Sequence, residues 1–293
     1  MEALVAFAQN LAGGLLIGGV YALIGVGLSL VFGVMRVINF AHGEFVAVGM
    51  YLTLLLYGYW GLDPYLCLLV AAPFGYGLGL LLERLVLSRL IDAPPDSTLL
   101  ATLGIALVVS NTLHLLFGGE PRSLYVGYAT ATVRLGPVTL SVPLLIAGAG
   151  TLALIGALVL FLSRSEAGRA IRATAQNRVG AELVGIDTLA HHRLTFGLGT
   201  ALSVVVGVVL IPLLFVTPAV GGTYTLKAFV VTVLGGLGNL AGAVAGGMLL
   251  GVVEVLGASY LAAGYRDAYG LVAFLAVLLF RPQGLFGRAV RRV

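Results

Sequence analysis

Arg36, Asn39, His42, Gly43 and Glu44 fall within nine residues of one another, in the stretch GVGLSLVFGVMRVINFAHGEFVAVGMY from Gly25 to Tyr51. A cation, an amide, an imidazole and a carboxylate at this spacing can bind a polar solute or line its path. Here they interrupt an apolar run that ends at Val34 and resumes just beyond. Next to lipid each such group needs an internal partner or water. The stretch is therefore either a solvated turn or a broken helix lining a polar passage. A second stretch, AFVVTVLGGLGNLAGAVAGGMLLGVVEVL from Ala228 to Leu256, repeats the design: an apolar run meets Gly235, Gly236, Gly238 and Asn239, then resumes with small residues such as Gly242. Asn39 and Asn239 both donate and accept, and either suits the start of a half-helix. Glu44 stands near a helix start, where the dipole favours a carboxylate, and is within reach of Arg36 if the chain folds back. Glu254 sits inside GMLLGVVEVLG with no basic neighbour in the sequence.

Other chemistry is missing from the pattern. Lys227 lies in TYTLKAF, not in a glycine-rich phosphate loop, and neither a zinc-protease helix motif nor a nucleophile elbow occurs. His114 stands alone and His191/His192 are adjacent, so no metal site is expected, and no cofactor. The chain reads as a non-enzyme. Cys67 is the single cysteine and lies in an apolar run, which excludes a disulfide framework.

The elements that carry these residues are membrane helices. Of 293 residues 60% are hydrophobic and 10% charged, against about 25% charged in ordinary globular domains. That excess cannot be hidden in one soluble core. The fold expected is all-α: a polytopic helical membrane protein with two broken-helix hairpins and an internal repeat, in a single domain over residues 1–293. Apolar runs cover 11–34, 45–59, 62–82, 97–117, 142–163, 194–217, 226–235, 240–257 and 269–280. The run 45–59 and the two halves of the interrupted pair are short enough to be partial crossings. Glycine supplies 42 residues. Gly14/Gly18, Gly75/Gly79, Gly238/Gly242/Gly246 and Gly247/Gly251 recur every four residues, a pattern of close helix approach.

Basic residues cluster at 84–89, at 164–193 and at the C-terminus, where Arg281, Arg288, Arg291 and Arg292 stand. By the positive-inside rule these places are cytoplasmic. Nine crossings then run from an outer N-terminus to a cytoplasmic C-terminus, with Arg122, Arg134 and Arg266 in loops on the other face. Arg36 and Lys227 lie close to expected ends, where long side chains snorkel to water. The net charge of +4 reflects this placement and not nucleic-acid binding. Segment 164–193 is the sizeable hydrophilic stretch, and Gly168–Gly185 within it reads as one amphipathic helix. Ile171, Ala175, Val179 and Leu183 recur at four-residue spacing, with Arg169, Arg172, Gln176 and Arg178 elsewhere on the wheel. Such a helix lies on acidic lipid or docks on a cytoplasmic partner.

YALIGVGLSLVFGVMRVINFAHGEF, GRAIRATAQNRVGAELVGI, VLGGLGNLAGAVAGGMLLGVVE and FRPQGLFG occur in this order. Together they resemble the branched-chain amino-acid ABC permeases, more closely the first of that system's two membrane subunits, from about Gly14 to Gly287. The resemblance implies a multi-pass permease in the cell (inner) membrane. It would work with a second homologous permease, two cytoplasmic ABC ATPases and an extracytoplasmic substrate-binding protein. ATP would be hydrolysed by the partners. Gly168, Arg169, Arg172, Ala175, Asn177, Ala181 and Gly185 would then couple to the ATPase. Asn39, His42, Gly43, Glu44, Gly236, Gly238, Asn239 and Gly242 would border the path. Leucine, isoleucine and valine are the expected cargo. Urea and short-amide permeases share these motifs, and an ion-coupled carrier or channel also uses broken helices.

Overall fold

The computed structural model describes residues 1–91 and 93–287; Arg288, Arg291 and Arg292 of the C-terminal basic cluster lie outside them. Every apolar run of the sequence carries a helix, although 62–67 and 211–217 lie outside helices. The helices are α1 (Glu2–Met35), α2 (His42–Trp60), α3 (Leu68–Leu85), α4 (Pro95–Phe117), α5 (Val142–Arg164), α8 (Thr188–Leu210), α9 (Val220–Gly235), α10 (Leu240–Tyr260) and α11 (Arg266–Phe280). Segment 164–193 adds α6 (Glu166–Gln176) and α7 (Arg178–Leu183). Seven described helices are long and apolar enough to cross a membrane; α2 is not among them and α9 is one of the shorter apolar helices. Both short crossings were legible, whereas α10 is a full span of 21 residues rather than a half.

The helices end on two faces. On one, Met35, Arg36, Ile91, Thr98, Asn177 and His192 border one cavity, and Leu285 donates its N–H to Leu234 O at 2.7 Å. This basic face carries α6 and α7. On the opposite face Tyr57 bonds Tyr125 O at 2.8 Å, Tyr128 bonds Asp63 at 2.8 Å and Arg122 pairs with Val216. That face also holds a hairpin the apolar pattern gave no sign of. It is β1 (Thr132–Leu135) and β2 (Val138–Ser141), antiparallel, with Gly136 at φ 63° in its turn. Arg134 therefore lies in a strand. Gln9, near the start of α1, reaches Thr139 O at 2.5 Å. The chain thus starts on the opposite face and residues 281–287 reach the basic one.

Glycine contacts organise the bundle. A β-carbon on Gly14 would lie 2.9 Å from Val252 Cα, and one on Gly18 2.9 Å from Met248 Cα. These contacts run in opposite chain directions, so α1 and α10 are antiparallel. Gly75 meets Val204 and Ala201 at 2.9–3.0 Å and Gly79 meets Gly197 at 2.8 Å, which sets α3 antiparallel to α8 in the same way. The third helix of each half therefore packs on the first helix of the other. The glycine stripes are contact surfaces, since lipid offers no hydrophobic drive and close packing supplies the attraction.

Each half also bends before its second helix. Arg36 closes α1 in the left-handed region at φ 55°, the one non-glycine residue there among those described. The chain then climbs back into the bundle, where Thr102 of α4 donates to Ile38 O at 3.1 Å and accepts from Phe40 N at 3.2 Å. In the other half α8 ends at Leu210 on the opposite face and α9 begins only at Val220. The repeat is thus inverted, and its equivalent breaks are 36–41 and 211–219. The expectation that 25–51 matches 228–256 is corrected. The glycines at 235–238 make a tight turn between α9 and α10 on the basic face, with Gly236 at φ 97° and Gly238 at φ 78°.

Candidate translocation path and coupling surface

The first turns of α2 and α9 meet inside the bundle. Their caps are alike: Ala41 has φ −80°, ψ −2° and Ala219 has φ −81°, ψ −7°. Each is followed by any residue and then glycine, AHG and AVG. Gly43 N donates to Thr225 Oγ1 at 2.9 Å, and Thr225 donates to Phe40 O at 3.2 Å. A β-carbon on Gly43 would fall on the backbone of Gly221, and one on Gly221 on the Glu44 carboxylate. His42 is fully buried, with Nε2 3.0 Å from Ile24 O and 2.9 Å from Ser203 Oγ. Asn39 accepts from Ala41 N at 3.0 Å and so shapes the approach to α2, two residues before its cap.

Asn39, His42, Gly43 and Glu44 are therefore gathered at one place. Glu44 makes no ion pair with Arg36, which is exposed at the end of α1; Glu44 Oε2 and Asn39 Nδ2 are buried without a hydrogen-bond partner. The sequence reading missed Gly221, Thr225, Ser203 and Thr102. The shared A-x-G at 41–43 and 219–221 was the available signal. Gly222, Thr223 and Leu226 on the adjoining face of α9 are exposed. Two half-helix N-termini converge here, each positive by its dipole, with a carboxylate between them. That arrangement can hold the charged ends of a small zwitterion in passing.

Gly236, Gly238, Asn239 and Gly242 are not brought to this place. Asn239 caps α10, accepting from Gly242 N at 3.0 Å, and donates to Phe286 O at 3.0 Å. Gly238 and Asn239 line a cavity of about 510 Å³ with Ser29, Arg172, Ala175 and Phe286. The turn thus belongs to the basic end of the bundle, beneath segment 164–193.

That segment is two helices, not one over Gly168–Gly185. Asn177 is extended at φ −156°, ends α6 and caps α7 by accepting from Gly180 N at 3.0 Å. Ser165 caps α6 in the same way from Gly168 N at 2.9 Å. A β-carbon on Gly168 would lie 2.5 Å from Leu162 Cα, so this glycine lets α6 press on the end of α5. The break at Asn177 splits the apolar stripe. Ile171 is buried and Ala175 half-buried, whereas Val179 and Leu183 are exposed, with Val184 beside them. Ala181 is buried, and Gly185 at φ 84° ends the segment. Arg169 pairs with Glu166 at 3.8 Å on the surface and Arg172 is exposed. Hydrogen bonds from Thr188 and Arg178 hold the Glu182 carboxyl below its ordinary range. The segment is tied to the bundle by α6 and offers apolar side chains outward from α7.

Residues 10–281 match the family described as the branched-chain amino acid transport system, permease component. The chain is 33% identical over 299 residues to the high-affinity branched-chain amino acid transport system permease protein BraD of Pseudomonas aeruginosa, covering 96% of each. It is 31% identical to the permease protein LivH of Escherichia coli, covering 98% of this chain and 97% of that one. A probable LivH of Methanocaldococcus jannaschii is 29% identical, with 94% and 91% covered. No solved structure matches.

Proposed function

Because the chain belongs to the family of branched-chain amino acid transport permeases, we propose that it is the membrane subunit through which an ATP-driven importer passes leucine, isoleucine and valine. The observation that carries the reading is the meeting of α2 and α9 within the bundle. It gives a path bordered by Asn39, His42, Gly43, Glu44 and the exposed Gly222 and Thr223. The basic face is cytoplasmic by the positive-inside rule, which puts α6 and α7 in reach of two ATPases and the C-terminus inside. The opposite face receives an extracytoplasmic binding protein. A second homologous permease covers the α2–α9 meeting and completes the passage. The turn at Gly236–Asn239 faces Arg172 and Ala175 of α6 across the cavity that Gly238 and Asn239 line. Its role is to pass motion of α6 into α9 and α10 rather than to touch cargo.

The cargo is tested by competition. The complex assembled from this chain, its permease partner, the ATPases and the binding protein is expected to take up labelled leucine. Excess isoleucine or valine suppresses that uptake and excess urea or acetamide does not. Suppression by urea alone assigns the chain to an amide importer and overturns the amino-acid reading.

A further inference from the structure

Lys227 carries the one lysine charge of the chain, and it does not snorkel. Its side chain is 11% exposed, and it pairs with Glu254 of α10 and, at 2.8 Å, with Asp267 of α11. Glu254 is 2% exposed and accepts from Tyr21 of α1 at 2.8 Å; Arg266 of α11 lies 3.4 Å away at ion-pair distance. Two cations and two anions thus join three helices, with Tyr21 adding α1, at the level where α9 has just left its meeting with α2. Every charge is matched, so the cluster has no vacancy for a ligand. Nor is it an efficient source of stability, because desolvating buried ions offsets much of their attraction.

Its geometry fits a different task. Within α11 only Gly270 is buried, and a β-carbon there would lie 3.1 Å from the Glu254 carboxylate. The ion pairs are therefore a main hold of α11 on α9. The loop before α11 is exposed on the opposite face, at Leu261 and Tyr265. It is also tied to α11, because Tyr269 Oη contacts Ala262 N at 3.0 Å and Ala262 O at 3.1 Å. A displacement of that loop moves Arg266 and Asp267 directly. Between α9 and α11 a crevice of about 120 Å³, walled by Leu226, Val230 and Leu271 and floored by Lys227, gives α9 room to move.

We propose that Lys227, Glu254, Arg266 and Asp267 form a latch that ties α9 to α10 and α11 and so fixes it where it meets α2, and that contact at loop 261–265 on the opposite face releases it. These are positioning residues: they act on the passage through α9. The inference rests on the transport reading above, with the loaded binding protein as the releasing partner. Lys227→Met with Glu254→Leu replaces the buried pair by apolar residues of similar size, a change buried pairs often tolerate. The reconstituted complex carrying it should assemble and melt like the parent. It should hydrolyse ATP without loaded binding protein at least about fivefold faster, the low end of measured couplings between sites, and lose most of its stimulation by that protein. Arg266→Gln with Asp267→Asn, at the more exposed end of the cluster, should shift hydrolysis in the same direction even if the first pair fails to fold. Parent-like basal hydrolysis and full stimulation in the surface pair would overturn the latch. A parent complex with no stimulation at all would count against the transport reading instead.

Discussion

Replacing Leu183 by glutamate is expected to disconnect ATP hydrolysis from transport while leaving the bundle intact. Leu183 is 82% exposed, and its neighbours Val179 and Val184 are 65% and 76% exposed. These apolar side chains face away from the bundle on a capped helix whose buried residue is Ala181. A rigid apolar knob of this kind suits the centre of a docking contact, and a charge placed there must be desolvated for docking to occur. Loss of a central contact residue commonly costs about 2 kcal/mol or more, roughly 30-fold in affinity. The variant should insert and melt normally, because Leu183 supports nothing beneath it, but retain the ATPases poorly on purification. Arg172→Glu, on exposed α6, should act in the same direction. Full retention of the ATPases and parent uptake in both variants would remove α6 and α7 from the coupling surface.

Gly242→Leu is expected to damage the fold severely. A β-carbon at Gly242 would fall on the backbone of Gly235, 2.8 Å from its carbonyl carbon, so the turn between α9 and α10 cannot accept it without separating the helices. Overpacking typically costs about 1–3 kcal/mol, and here the obstacle is main chain, which yields less than a side chain. Gly156→Leu is the matched control, since nothing lies within 4 Å of a β-carbon there. The first variant should be recovered in low yield with a depressed melting temperature and the second like the parent. Equal behaviour of the two would show that the α9–α10 contact is not needed.

The contrast between these glycines explains what was readable. Helical spans follow from local apolar content, so each expected run carries a helix, but apolar content did not reveal that 62–67 and 211–217 leave the helical path. The basic segment was legible as a hydrophilic, partly amphipathic helical stretch because charge and apolar spacing are local. Its break was hidden: Asn177 reads as a tolerable helix residue until its side chain is seen capping Gly180. The two Asn-bearing stretches were paired because Asn39 and Asn239 look alike in sequence, while the structural equivalence is carried by Ala41–Gly43 and Ala219–Gly221. Glu254 has no basic neighbour in the sequence because its partners sit on other helices, Lys227 27 residues away across a turn and Arg266 beyond another. Period and spacing describe one helix at a time. Buried charge pairing is a property of neighbours that only the packing of α1, α9, α10 and α11 brings together.

Uptake by sealed vesicles bears most directly on the claim that this chain is the permease of an ATP-driven importer. The vesicles would carry this chain with its permease partner and the ATPases, with leucine-loaded binding protein on the opposite face. Leucine should accumulate only when ATP is supplied on the basic face and the binding protein is present, and collapsing proton and sodium gradients should leave accumulation unchanged. Accumulation driven by an ion gradient without ATP would contradict the account and make the chain a coupled secondary carrier.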